Sequence, residues 1–389
     1  MAKVSVVSLH KESRRTESNK YKGYPFLANG EKNDYPTMIE LLVGGSATAK
    51  ACAGVIADFI YGKGFSLEAE ARATARQQRT RFRKDTLYIN DKRETPNDLL
   101  KKVARSLSYH KGVFVQVNYN QLFQKTSVQV LPYRYCRLGA RDSNNYRGKV
   151  LYYENWDNLQ DKKEVDKNVK AIDLYDPSPK VIQEQVDAAG GWDNYKGQVY
   201  FLNLDRNDSY PLAWADVVLL DCESEMLSTK YTRNGFKKGF FGTYAFVTST
   251  MNSDEARDEF RDNLRNSIGV EAEQSVFHFE LEMKGDKLED QVFVKPIESN
   301  VKADLFEYAD KKTANNIRKT YGNIPPVLID FVEGKLGNTS GDSLKEARIF
   351  MQEQMQEERQ DVQEMFEELF DNFAEPISSN GLFEIMTNY

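Results

Sequence analysis

The sequence predicts an α+β protein on three observations. Apolar residues recur at helical spacing in separate blocks near both ends of the chain. Between residues 113 and 156, β-branched and aromatic residues alternate. Residues 232–298 carry strands and a helix of their own, a stretch of about seventy residues and so the size of a small module.

In chain order, residues 1–35 are polar and turn-rich, with Gly23, Pro25, Gly30 and Asn33-Asp34. They read as an extended arm of the kind that a neighbouring subunit orders. Helices follow over Pro36–Val43 and Ser46–Tyr61, parted by Gly44-Gly45 and stopped by Gly62 and Gly64. Glu68–Lys84, rich in Arg, Ala and Gln, reads as a further helix. Thr95-Pro96-Asn97-Asp98 supplies an N-cap, a first-turn proline and an acid for a helix that carries Leu99, Leu100, Val103 and Leu107 and ends by Gly112.

Strands are expected over Val113–Tyr119, Ser127–Leu138, Lys149–Trp156 and Gln198–Leu204. The charged run Asp157–Asn168 reads as a loop. A short helix runs from Ser178-Pro179 to Gly190-Gly191, and an apolar helix covers Pro211–Tyr231. In the 232–298 module, strands Thr243–Thr248 and Val276–Leu281 bracket a charged helix over Ser253–Ser267, and strand Val292–Ile297 closes the unit. Beyond it come a helix over Asn300–Tyr321, a Gly/Pro elbow and a glycine loop. Last is one long helix over Ser343–Phe373, which would extend about 45 Å.

Composition narrows the functional classes. The 389 residues are 40% hydrophobic and 29% charged, the balance of a folded soluble chain. A net charge of −6 argues against gripping duplex nucleic acid over a whole surface, because that affinity comes from neutralising phosphates. Cys52, Cys136 and Cys222 are scattered, which suits a reducing compartment. With His10, His110 and His278 they offer neither ligand spacing nor a nucleophile–base pair, so no cofactor, no metal and no catalytic residues are expected. The N-terminal run lacks the apolar stretch of a signal peptide, and Met38–Tyr61 is interrupted by Glu40, Lys50, Asp58 and three glycines, so no membrane association is expected.

Four motifs carry functional alternatives. Gly44–Lys50 superficially suggests a phosphate cradle, but the spacing is wrong and no strand precedes it, so a helix–helix turn is expected. On the module's helix, Asp254, Glu255, Asp258, Glu259 and Asp262 interleave with Arg257, Arg261 and Arg265. Carboxylates so clustered can hold Mg²⁺, with Asp254, Asp258 and Asp262 as conceivable ligands of a nucleic-acid enzyme. The same pattern also makes a solvated face, or a docking surface for a partner. Tyr321–Pro326 is a helix stop with a buried apolar turn, or a rigid elbow.

In Gly334–Asp342 three glycines and small polar groups make a plain surface loop, or one that touches a polyanion weakly and releases it. Ser343 and Glu346 beyond it have capping-box spacing. The last helix has a stripe of Leu344, Ala347, Met351, Met355, Val362, Phe366, Leu369 and Phe373, and its other faces are strongly acidic.

Three stretches together resemble the portal (head-to-tail connector) proteins of tailed bacteriophages. They are GEKNDYPTMIELLVGGSATAKACAGVIADFIYGKGF (Gly30–Phe65), the pair Thr126–Gly139 and Tyr210–Phe240, and the elbow YGNIPPVLI with the loop and long helix after it. No one motif is diagnostic; their order and spacing together carry the resemblance. The resemblance implies a portal fold with an arm and wing at 1–209 and a stem helix at 210–231. It further implies an α/β clip at 232–298, a second stem helix at 299–321, an elbow and tunnel loop at 322–342 and a wing helix with tail at 343–389, with little or no crown.

It implies a structural, non-enzymatic protein. That protein would form a homo-oligomeric ring, twelve subunits in most members, at a capsid vertex of the virion, assembled in the host cytoplasm. Double-stranded DNA would pass Lys335, Leu336, Asn338, Thr339 and Ser340. Terminase and then a head-completion or tail adaptor would dock on Asp254, Arg257, Asp258, Arg261 and Arg265. Major capsid and scaffold proteins would be further partners. The competing class is the metal-dependent nucleic-acid enzyme, and a third, a capsid- or scaffold-binding adaptor without a channel, shares this composition.

Overall fold

The computed structural model describes residues 25–65, 88–141, 143–156, 168–206, 209–237, 243–249, 253–255, 257–260, 262, 276–281, 292–297, 303–329, 340–375, 377 and 384–387. The expected helix at Glu68–Lys84 and all but the last residue of the loop at Asp157–Asn168 lie outside these residues. The chain forms two compact units, Met1–Cys222 with Asn316–Tyr389, and Glu223–Asn315.

The first unit opens with α1 (Tyr35–Gly45) and α2 (Ala47–Tyr61), bent by 104° at Ser46. Ser46 caps α2, its Oγ accepting from the Ala49 N–H at 3.0 Å, which makes Gly44–Lys50 the turn its spacing predicts. Among the described residues no single helix is long and apolar enough to cross a membrane.

The α3 helix (Pro96–His110) starts with a complete capping box, Thr95 and Asp98 each bonding the other's backbone N–H. Leu99, Leu100, Val103 and Leu107 are all fully buried, so the stripe read from the sequence is its core face. Lys111, left-handed at φ 54°, ends it.

A six-stranded sheet follows: β1 (Gly112–Tyr119), β2 (Lys125–Leu131), β3 (Cys136–Leu138), β4 (Lys149–Tyr152), β5 (Lys170–Leu174) and β6 (Gln198–Asn203). Its order is β2-β1-β6-β5-β4-β3. All pairs are antiparallel except β5 with β6, which α4 (Pro179–Ala189) connects as a crossover. The expected single strand Ser127–Leu138 is two strands. Pro132 and a 3₁₀ turn at Tyr133–Tyr135 break it, and its halves occupy opposite edges of the sheet. The third expected strand, Lys149–Trp156, stops at Tyr152, and β5 has no counterpart in the sequence reading.

The arm is also corrected where it is described. Phe26 bridges Gly139, the Leu27 N–H donates to Leu138 O at 2.8 Å, and Phe26 and Leu27 are buried within their own chain. No neighbouring subunit is needed to order this part.

The Pro211–Tyr231 helix begins later and runs further, as α5 (Leu219–Lys237). Tertiary bonds override the helical pattern before it. The Ala213 N–H donates to Tyr35 Oη at 3.1 Å, Tyr35 Oη donates to Asp216 Oδ1 at 2.6 Å, and Trp214 Nε1–H donates to Leu107 O at 3.1 Å.

In the second unit, β7 (Thr243–Ser249), β8 (Val276–Leu281) and β9 (Val292–Ile297) form a sheet of order β8-β7-β9, with β7 and β8 parallel. All three strands match the sequence reading. A helix, α6 (Ala303–Thr320), then leads back into the first unit.

The long final helix is two: α7 (Ser340–Gln354) and α8 (Gln356–Phe370), interrupted at Met355 with φ −98° and ψ 16°. Met355 is buried, and Arg359 turns back across the break to donate to Gln352 O at 2.9 Å and Phe59 O at 3.3 Å. A side chain feeding a carbonyl at the interruption is a recognised cause of such a break.

Phe65, at the end of GKGF, packs edge-on against Phe366 and Phe370 of α8. Gly62 holds φ 58°, and a Cβ there would lie 2.3 Å from Met386 O, so this turn excludes any side chain.

Candidate channel loop and docking helix

The two regions singled out by the sequence differ in what the structure says of them. Lys335, Leu336, Asn338 and Thr339 lie outside the described residues. Ser340 is the first residue of α7 rather than part of the loop. The capping box expected at Ser343 and Glu346 is corrected: Ser340-Gly341-Asp342 already forms the first turn, and Asp342 supplies the acid there.

Upstream, the elbow is firmly built. Tyr321 is fully buried, and burial pushes its phenol well above the ordinary range. Gly322 and Asn323 both take left-handed conformations, φ 84° and 56°, and turn the chain so that the Ile324 N–H meets Arg318 O at 3.1 Å. Pro325 is extended and Pro326 opens a 3₁₀ turn. Ile324 is buried while Val327, Leu328 and Ile329 are half-buried, so the helix stop and the rigid elbow are one feature.

On the second unit's helix, residues 254–255, 257–260 and 262 are helical. Asp254 pairs with Arg257, and Asp254, Asp258 and Asp262 are all exposed. Arg261 and Arg265 lie outside the described side chains. Among the described residues, no three His, Cys, Asp or Glu groups are arranged to hold a metal ion. The described part is a mixed-charge face exposed within this chain.

On either side of the module in sequence, α5 and α6 are hydrogen-bonded to each other with antiparallel direction. Asn316 Nδ2 donates to Asp221 Oδ1 at 3.3 Å, and further along each helix Ser228 Oγ donates to Asp310 Oδ1 at 3.3 Å. The partner's number falls as the other rises, which fixes the direction.

Three polar clusters escaped the sequence reading. Arg137 is fully buried. Its Nε–H donates to Asn33 Oδ1, Nη2 to Asn33 O at 2.7 Å, and Nη1 to Arg134 O and Cys136 O, each at 2.8 Å. Lys125, also buried, sends Nζ to Glu368 O and to Asp371 O (the latter at 2.9 Å), a cation at the negative end of α8.

In the third, His110 stacks on Tyr133 with centroids 4.4 Å apart, and its Nε2 faces Glu40 Oε1 at 3.4 Å. Its buried Nδ1 has no hydrogen-bond partner among the described residues, and burial pushes its pKa down. Burial raises the Glu40 carboxyl, but His110 and the Arg134 guanidinium at 3.1 Å outweigh it and hold the group below its ordinary value. No local signal announces these contacts, since the partners stand far apart in sequence.

No family model and no curated protein matches the chain. Its structural neighbours include a chain of the virion of a native gene transfer agent particle, at 10% identity and TM-score 0.45, covering 82% of this chain and 74% of that one. Another comes from the neck of the native particle computed with C12 symmetry, at 12% identity and TM-score 0.43, covering 82% and 74%. A third is an HK97-family phage portal protein from Corynebacterium diphtheriae, at 12% identity and TM-score 0.33, covering 64% and 66%.

Proposed function

We propose that this chain is the subunit of a portal ring, a channel at one vertex of a phage-like capsid through which double-stranded DNA enters and leaves. The observation that carries this reading is the antiparallel pair α5 and α6, through which the chain leaves the first unit and returns to it around a three-stranded module. In this reading the pair is the stem, the module is the clip and the first unit is the wing. The GKGF turn, the buried Arg137 within PYRYCRLG and the left-handed elbow of YGNIPP place parts of all three resembling stretches at structurally demanding positions.

A ring follows when one patch meets a different patch on the next copy and the rotation closes, with twelve copies expected from the resemblance. The loop ahead of α7 faces the DNA, and its neutral groups and single Lys335 keep contact weak. The clip helix, through Asp254, Arg257, Asp258, Arg261 and Arg265, docks terminase and then the tail adaptor, while capsid and scaffold proteins meet the wing. No covalent chemistry enters this function. Deleting Leu336–Thr339, which stops short of α7, tests it: rings still form, but packaged DNA is retained poorly. Loss of folding in that variant, or unchanged packaging, would refute the assignment of the loop.

A further inference from the structure

Between α2 and α3 the first unit carries an open groove of about 380 Å³. Ala53, Gly54, Ala57 and Ala104 give it a floor low enough for another backbone to approach, and a Cβ at Gly54 would meet nothing within 4 Å. Tyr61 and Tyr109 wall it. Lys50, Lys101 and Arg105 line its rim, all exposed and with no ion pair among the described residues, against the one carboxylate Asp58.

Elsewhere on the same unit, α7 presents a stripe with the opposite character. Asp342, Glu346 and Glu353 stand three or four residues from exposed Ile349 or Phe350 or from one another, so three carboxylates, with Lys345 as the one exposed cation beside them, flank an apolar centre. Ile349 is 50% exposed and Phe350 36%, unusual for side chains of that size.

We infer that the α2–α3 groove of one copy receives the α7 stripe of the next. The inference rests on the portal reading and gives it a specific subunit interface. Charge complementarity selects the occupant: an apolar ridge edged with carboxylates fits a small-residue floor edged with cations. Helices packed over small residues come as close as about 8 Å, so Ile349 and Phe350 can reach between the tyrosine walls. Each copy has one groove and one stripe at different places, so the contact is heterologous and propagates around a ring. Both surfaces are exposed within a single copy, as partners awaiting another copy must be.

The test uses the full chain, with assembly followed by mass photometry against concentration and folding followed by circular dichroism. Three variants are compared with the parent: Lys101→Glu with Arg105→Glu, Glu346→Lys with Glu353→Lys, and all four substitutions together. Each pair should raise the concentration for half-assembly by about tenfold or more, and the combination should recover most of the loss. A fourth variant, Gly54→Leu, adds bulk where space is open and should keep its fold while blocking assembly. Folded charge-reversed pairs that assemble like the parent, a combination that does not recover, or assembly by Gly54→Leu would each overturn the interface. If the parent itself never assembles, the portal reading has failed, an outcome distinct from any variant result.

Discussion

Arg137 offers the sharpest stability prediction. Arg137→Met keeps most of the stem's volume and removes the guanidinium fork. Two buried backbone carbonyls, Asn33 O and Cys136 O, and the part-buried Arg134 O then lose a donor at 2.7–2.8 Å, while Asn33 Oδ1 keeps only the Asn29 N–H. Each buried acceptor left unmet costs about 1–3 kcal/mol, and hydrogen bonds to a charged donor lie at the upper end. Partial relaxation brings the total below the simple sum, to about 3–5 kcal/mol, a large share of the stability of an ordinary domain.

Trp156, whose ring lies 5.3 Å from the guanidinium, provides the local probe. Urea titration followed by tryptophan fluorescence, with Trp192 and Trp214 replaced by Phe in both proteins, should give a midpoint far below the parent's. Arg137→Lys should recover less than half, because an ammonium cannot reproduce the fork. A loss under about 1 kcal/mol would refute the reasoning and mean that water or another donor serves these carbonyls.

Three further outcomes are expected. The folded pKa values of His110 and Glu40 both lie below their ordinary 6.5 and 4.5, so each contributes stability that is present above those values and lost as pH falls. Urea midpoints should therefore drop from pH 6.5 downward, and His110→Phe should flatten the upper part of that slope; an unchanged slope contradicts the assignment. Lys125→Met should cost about 1–2 kcal/mol and speed hydrogen exchange at the amides of residue 125 and Ala374, because it removes a buried cation from the end of α8. Gly62→Ala should destabilise by more than the about 1 kcal/mol of backbone strain alone, since the added carbon meets Met386 O; thermal unfolding reads it directly.

The legible parts of this fold were those with local causes. Thr95-Pro96-Asn97-Asp98 announces α3 because its capping partners are three residues apart. Gly44-Gly45-Ser46 marks the α1–α2 turn for the same reason. The module strands stand out because aromatic and β-branched residues cluster within each.

Where distant contacts decide, the sequence misleads. Pro211–Val218 has a helical pattern, yet Tyr35 and Leu107 hold it in turns. β5 is five residues and half-buried, too short to alternate visibly. The break at Met355 depends on Arg359 reaching back past Met355 to Gln352. The charged helix of the second unit was visible as a pattern, but such a pattern cannot distinguish a solvated face from an interface. The groove between α2 and α3 comes from two separate helices, and only the fold brings Lys50 of one and Lys101 and Arg105 of the other to the same groove.

The central claim is that copies of this chain close around a hole. Native mass measurement of the purified full-length protein, with images down the particle axis, tests it most directly. The account predicts one closed ring of uniform subunit number, twelve being expected, with an open centre. A persistent monomer, or a compact dimer without a central opening under every assembly condition, would contradict it.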